Sequence, residues 1–222
     1  MITGTSEKIG TKKPLATWSP AGTLDDYCQQ VLGQLGWPGR ENQRALRTLG
    51  ITSCRSGEGV STLAAHMAAA AAARQEGKVV LVDANLTAPA AMKIFGIQGA
   101  PGFVECVNGG ENVADALQAT TMENLHVLTA GKIQGSPART FDADGLAEVV
   151  SELADLSALT IFDLPPVRQA SCVHRLTAAL DGILLVVEAR AVTWDAAAKV
   201  KDILAHAGAH IVGVVLNNRR PS

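Results

Sequence analysis

Ser53-Cys54-Arg55-Ser56-Gly57-Glu58-Gly59-Val60-Ser61-Thr62 is the stretch from which the rest of the chain can be read. It follows the phosphate-binding pattern G-x-x-x-x-G-K-[ST], in which glycines let backbone N–H groups curl around phosphate oxygens. A lysine in that pattern reaches the β and γ phosphates, and the hydroxyl ligates Mg²⁺. Gly57, Gly59, Ser61 and Thr62 keep the loop and its hydroxyl, but Cys54 stands at the small opening residue and Val60 at the lysine. Such a loop joins a strand to a helix, so a strand is expected to about Ser53 and a helix from about Val60.

Working outward, the pattern alternates. A strand from Arg47 precedes the loop, and the helix after it runs to Arg74 through the alanines 68–73, with Gly77 as its stop. Lys78 to Val82 reads as a fully buried strand ending at Asp83. Short β-branched runs follow at 125–128, 159–162, 183–187 and 211–216, with helical stretches at 145–156 and 195–207. Alternation of this kind implies an α/β fold: a three-layer P-loop NTPase arrangement with a mostly parallel sheet and helices on both faces. Upstream, the first twenty residues read as a flexible arm. Leu24, Tyr27, Cys28, Val31, Leu32 and Leu35 then recur at helical spacing, with Thr23 and Asp26 as cap and 36–39 as stop. Residues 1–40 are thus an arm plus one amphipathic helix, packed on the chain's own sheet or another subunit, and 41–222 the P-loop NTPase-like domain.

The 222 residues carry a formal net charge of -2, which gives no reason to expect nucleic acid. No run of eighteen apolar residues suggests a membrane span, and the first residues lack the apolar core of a secretory signal, so a cytoplasmic protein is expected. Cys28, Cys54, Cys106 and Cys172 form no C-x-x-C pair; only Cys54, beside the loop, is a candidate for reactivity, and a small buried residue is the favoured reading. His206 and His210 are four apart, but Gly208 between them argues against a metal site. Arg219 and Arg220 read as a solvated tail.

In a parallel sheet, ligands sit beyond the carboxyl ends of the strands. Val79-Val80-Leu81-Val82-Asp83 and Leu159-Thr160-Ile161-Phe162-Asp163 each put one aspartate there, where a carboxylate calls for a bound cation. With Ser61 they would hold Mg²⁺ beside a nucleoside triphosphate.

At this point the chain resembles a family. Residues 56–62, Val82-Asp83-Ala84-Asn85-Leu86, Phe95-Gly96, Pro101-Gly102, 124–128 with Gly131, Phe162-Asp163-Leu164-Pro165-Pro166-Val167, 180–183, Thr193 and Gly213-Val214-Val215-Leu216-Asn217 are similar, in order, to the cytoplasmic domain of the bacterial tyrosine autokinases (BY-kinases) of capsule and exopolysaccharide synthesis. More distantly they resemble the ParA/MinD ATPases. The resemblance implies ATP or ADP with Mg²⁺ as cofactor, held by Arg55, Ser56, Gly57, Glu58, Gly59, Val60, Ser61 and Thr62. It makes Ser61, Asp83 and Asp163 metal ligands, Asp83 and Asp163 the catalytic carboxylates, and Asn217 a neighbour of adenine. It also implies a membrane polysaccharide copolymerase or export complex as partner, placement at the inner face of the cell membrane, and homo-oligomers.

The departures shape the expected function. Family members have Asp-Ala-Asp-Leu-Arg where this chain has Asp83-Ala84-Asn85-Leu86-Thr87, and they carry a tyrosine-rich tail, whereas Tyr27 is the one tyrosine here. Without the lysine, phosphoryl transfer loses its main charge neutraliser, so a regulator with impaired kinase activity is expected. The rival is a working ATPase or kinase in which Arg55 supplies the charge. Glu41-x-x-Arg44-x-x-Arg47 copies the family's ring-assembly spacing, but it lies almost at the first strand and is read as coincidence.

Overall fold

A computed structural model describes residues 22–39, 46–168, 173–189 and 194–217. In chain order the elements are α1 (Gly22–Gln34), β1 (Thr48–Ser53), α2 (Val60–Ala72), β2 (Val79–Asp83), α3 (Ala91–Phe95), α4 (Phe103–Val107), α5 (Val113–Ala116), β3 (Gln118–Ala119) and β4 (Leu125–Leu128). They continue with α6 (Pro137–Phe141), α7 (Leu146–Leu156), β5 (Leu159–Asp163), α8 (His174–Ala179), β6 (Gly182–Glu188), α9 (Trp194–His206) and β7 (Ile211–Asn217). The strands form one sheet in the order β3-β4-β2-β5-β1-β6-β7. All neighbours are parallel except the two-residue β3, which runs antiparallel to β4.

Both faces are covered, as strands without polar alternation require. Leu49, Ile51, Leu81 and Ile161 point to the side occupied by α1 and α2; Val80, Val82, Phe162 and Leu185 point to the side with α4, α7 and α9. On the first side, Ala68 to Ala71 are fully buried because α2 is sandwiched between sheet and α1, and alanine lets three layers close on one another. The amphipathic helix α1 therefore finds its partner in α2, with Cys28 and Leu32 completely buried. Gln29 Nε2 donates to Ala70 O at 2.6 Å.

The end of α2 differs from the expected one. The helix stops at Ala72 rather than Arg74, and Gln75 (φ 58°) takes the left-handed turn ahead of Gly77. That early exit swings Arg74 across to α1, where its guanidinium donates to Trp37 O and Gln29 O at 2.7 Å each and lies 5.8 Å over the Trp37 ring. Glu41 and Arg44 of the ring-assembly spacing lie outside the described residues. Arg47 is tied into the body of the fold, with its backbone N–H on Asp181 and its guanidinium on Ala154 O and Ser157 O. Among the described residues, no helix is long and apolar enough to cross a membrane.

Candidate nucleotide site

The loop leaves β1, in the centre of the sheet, and enters α2 with Val60 as the first helical residue. Gly57 and Gly59 both have φ 87°, the left-handed conformation that glycine adopts freely. At Gly59 a side chain would also strike Asn217 Nδ2, 2.5 Å from where a Cβ would stand. Glu58 holds this shape. Its carboxylate is only 2% exposed and accepts N–H bonds from Arg55 (2.8 Å) and Glu188 (3.0 Å), and its carbonyl accepts from Asn217 Nδ2 at 2.8 Å. One buried residue thus ties the loop to the ends of β6 and β7. Ser53 Oγ, donating to Arg55 O at 2.8 Å, braces the entry.

The acid half is built by register. Asp83 and Asp163 are paired residues of the parallel strands β2 and β5, so their side chains emerge on one face. That face is the one covered by α2, since the side chains alternate with Val82 and Phe162 of the opposite core. The Ser61 hydroxyl, in the first turn of α2, hydrogen-bonds Asp163. Asp83 Oδ2 accepts the N–H groups of Ala90 and Ala91, each at 2.8 Å. Both aspartates are buried, at 1% and 3% exposure, and Oδ1 of each has no hydrogen-bond partner. Burial, opposed by the Ser61 hydrogen bond and reinforced by the Asp83 charge, pushes the Asp163 carboxyl up to about 7. Burial likewise raises Asp83, against the pull of its backbone N–H bonds. Two unsatisfied carboxylate oxygens beside a serine hydroxyl are hard oxygen donors suited to a divalent cation such as Mg²⁺, which takes one or two carboxylates and completes its shell with water and phosphate.

Against the loop lies a cavity of about 280 Å³; the buried Asp83 and Asp163 are not among its lining residues and border it through Ser61, Asn85 and Leu164. Of the residues expected in the site, Ser56, Gly57, Glu58, Gly59, Val60, Ser61 and Thr62 line it; Asn85 and Leu164, next to the two acids, add to its wall. Val60 is 8% exposed and shares the core of the α2 side, so the loop's cationic position is filled by an isopropyl group turned partly inward. Arg55 is exposed and is not among the cavity's lining residues. Asn217 reaches the loop's carbonyl rather than the cavity wall.

Cys54 is 2% exposed, and burial with the nearby Glu58 charge pushes its thiol up to about 11 despite Arg168, so it is a packed thiol and not a nucleophile at neutral pH. The structural part played by Glu58 had one legible signal, an acid inside a glycine-rich loop, a place where backbone donors crowd. His206 and His210 each contact their own neighbourhood, Asp202 O and Asp181 O, with Gly208 (φ 78°) turning the chain between them.

Strand, glycine loop, helix and two strand-end acids together define a P-loop NTPase. The ParA family model, described as an NUBPL iron-transfer P-loop NTPase, matches residues 44–220. The tyrosine-protein kinase YwqD of Bacillus subtilis (strain 168) is 31% identical over 179 residues, covering 81% of this chain and 75% of that protein. The crystal structure of the chimerical protein CapA2B2 superposes with a TM-score of 0.80 at 25% identity, covering 88% of this chain and 85% of that one. The septum site-determining protein MinD of Pyrococcus horikoshii OT3, complexed with Mg-ADP, gives a TM-score of 0.62 at 25% identity over 77% of this chain and 69% of that one. The chain belongs to the bacterial tyrosine-protein kinase family, within the ParA-type P-loop NTPases.

Proposed function

We propose that the cavity binds ADP or ATP with Mg²⁺ and that this chain is a kinase relative with impaired phosphoryl transfer. It would act as a nucleotide-dependent regulator in capsule or exopolysaccharide synthesis. Its site would be cytoplasmic, at the inner face of the membrane, with a polysaccharide copolymerase or export complex as partner. The observation that carries this is Val60, buried at the start of α2 in the position of the loop lysine, while Ser61, Asp83 and Asp163 keep a donor set for the metal. Bound Mg²⁺ would supply charge neutralisation at the phosphates. Backbone N–H groups of residues 56–62 and the start of α2 would orient those phosphates. Without the ammonium, the charge that develops on the transferring phosphoryl group lacks its main fixed partner, so binding outlasts turnover.

The test compares the chain with Val60→Lys. Mg-ADP at a hundredfold its dissociation constant should add about 2.7 kcal/mol of stability to both proteins. ATP hydrolysis and autophosphorylation should be near background in the native chain and rise in Val60→Lys; vigorous native turnover, unchanged by the lysine, refutes the reading. The rival, a working ATPase or kinase that borrows charge from Arg55, is supported by that residue's place in the loop and its exposed side chain. It requires Arg55→Ala to abolish turnover.

A further inference from the structure

Among the described residues, no ammonium or guanidinium is recorded against the carboxylate pair of this site. The contacts recorded for it are the backbone N–H groups of Ala90, Ala91 and Asn85 on Asp83 and the hydroxyl of Ser61 on Asp163. Oδ1 of each aspartate remains without a hydrogen-bond partner at 1% and 3% residue exposure. In a phosphate-binding loop of the usual composition, a lysine would stand one residue before the hydroxyl, on the same cavity wall, and could offset these acids when no nucleotide is present. Here Val60 occupies that wall and offers only an isopropyl group. Two buried carboxylates paired in register, each with an unpartnered oxygen, make a place for a cation from solution.

We infer that the protein takes up a divalent cation at Asp83, Asp163 and Ser61 with no nucleotide present, so that cation binds first and nucleotide second. The donor chemistry selects the class. Two carboxylates and a hydroxyl are hard oxygen ligands, and among the described residues no group of three or more His, Cys, Asp or Glu side chains is assembled for a softer metal. The order follows from charge. A polyphosphate entering alone would approach two buried carboxylates, with the Glu58 carboxylate beneath the loop as a third, and meet no lysine. With the cation in place the same approach is attractive. This inference rests on the proposed nucleotide–metal reading of the cavity but separates from it, because its test contains no nucleotide.

The full chain, stripped with a chelator, is titrated with Mn²⁺ alone, and free Mn²⁺ is read by its electron paramagnetic resonance signal. One bound Mn²⁺ per chain is expected. Asp163→Asn and Asp83→Asn should each weaken it at least about tenfold, the loss that even an outer-shell change typically brings. Val60→Lys should weaken it comparably while removing no ligand, because the new ammonium takes up the counter-charge role. Circular dichroism of each variant checks folding, and Val60→Lys decides should an aspartate variant fail to fold. Native protein that binds Mn²⁺ only after ADP is added, or a Val60→Lys variant that binds Mn²⁺ alone as tightly as the native chain, overturns the inference. Thermal shift with Mg-ADP reports on the underlying reading separately: stabilisation by Mg-ADP without nucleotide-free Mn²⁺ uptake sinks the order of binding alone.

Discussion

The phosphate-binding loop and the acid pair beside it are held in opposite ways; they are the loop half and the acid half of the site. In the loop half, a buried carboxylate, Glu58, accepts two backbone N–H groups and its carbonyl takes an amide from β7, so the charge is spread over partners. In the acid half, two equally buried carboxylates leave one oxygen each with nothing to bond. The first region is satisfied by its own chain, and the second is left with unpartnered oxygens. Loss of the lysine is tolerated where shape matters and felt where charge matters.

The largest expected effect tests the acid half. Asp163 holds its proton more tightly folded than unfolded, with about 7 against an ordinary 3.8. The penalty it imposes is therefore absent below pH 3.8, grows as pH rises toward 7 and is complete above it. Asp163→Asn in chelator should then stabilise the fold at pH 8 by up to about 4 kcal/mol and leave it unchanged near pH 3.5, read by urea unfolding. No gain at pH 8 would mean that the acid half is already balanced and the contrast fails.

Glu58→Ala attacks the loop half. Leaving the N–H groups of Arg55 and Glu188 unpaired should cost about 3 kcal/mol and remove Mg-ADP binding, measured by unfolding and calorimetry. Val60→Lys sharpens the contrast by restoring charge at the cost of one partly inward-turned isopropyl group: ADP affinity in chelator should rise about tenfold, or about 1.4 kcal/mol. The smallest effect is Asn217→Ala, which removes one side-chain bond to the loop carbonyl and should cost about 1 kcal/mol. A loss of 3 kcal/mol there would show that β7, and not Glu58, governs the loop.

The sheet and its two acids were legible because long apolar strands and a ten-residue glycine loop are local signals, strong enough to order the fold around Ser53–Thr62. What escaped was short or distant. Helices α3, α4, α5, α6 and α8 span four to six residues, less than two turns, too few for a period to emerge. The two-residue β3 carries no alternation at all. The bond from Asn217 to Glu58 joins positions 159 apart and follows only from β6 and β7 lying beside β1. Arg74 read as the last helical residue, and its actual place, clamped on Trp37 and Gln29, depends on where the turn falls. The pairing of Asp83 with Asp163 was implied by strand ends, but their two stranded oxygens needed coordinates.

The tie that Glu58 makes between loop, β6 and β7 has an evolutionary consequence. Because the loop's outline is maintained by its own internal bracing, an exchange at position 60 is expected to change the charge of the site while the path of the loop persists. Sequences built on this frame would then be able to vary at that position while the backbone around the loop keeps its place.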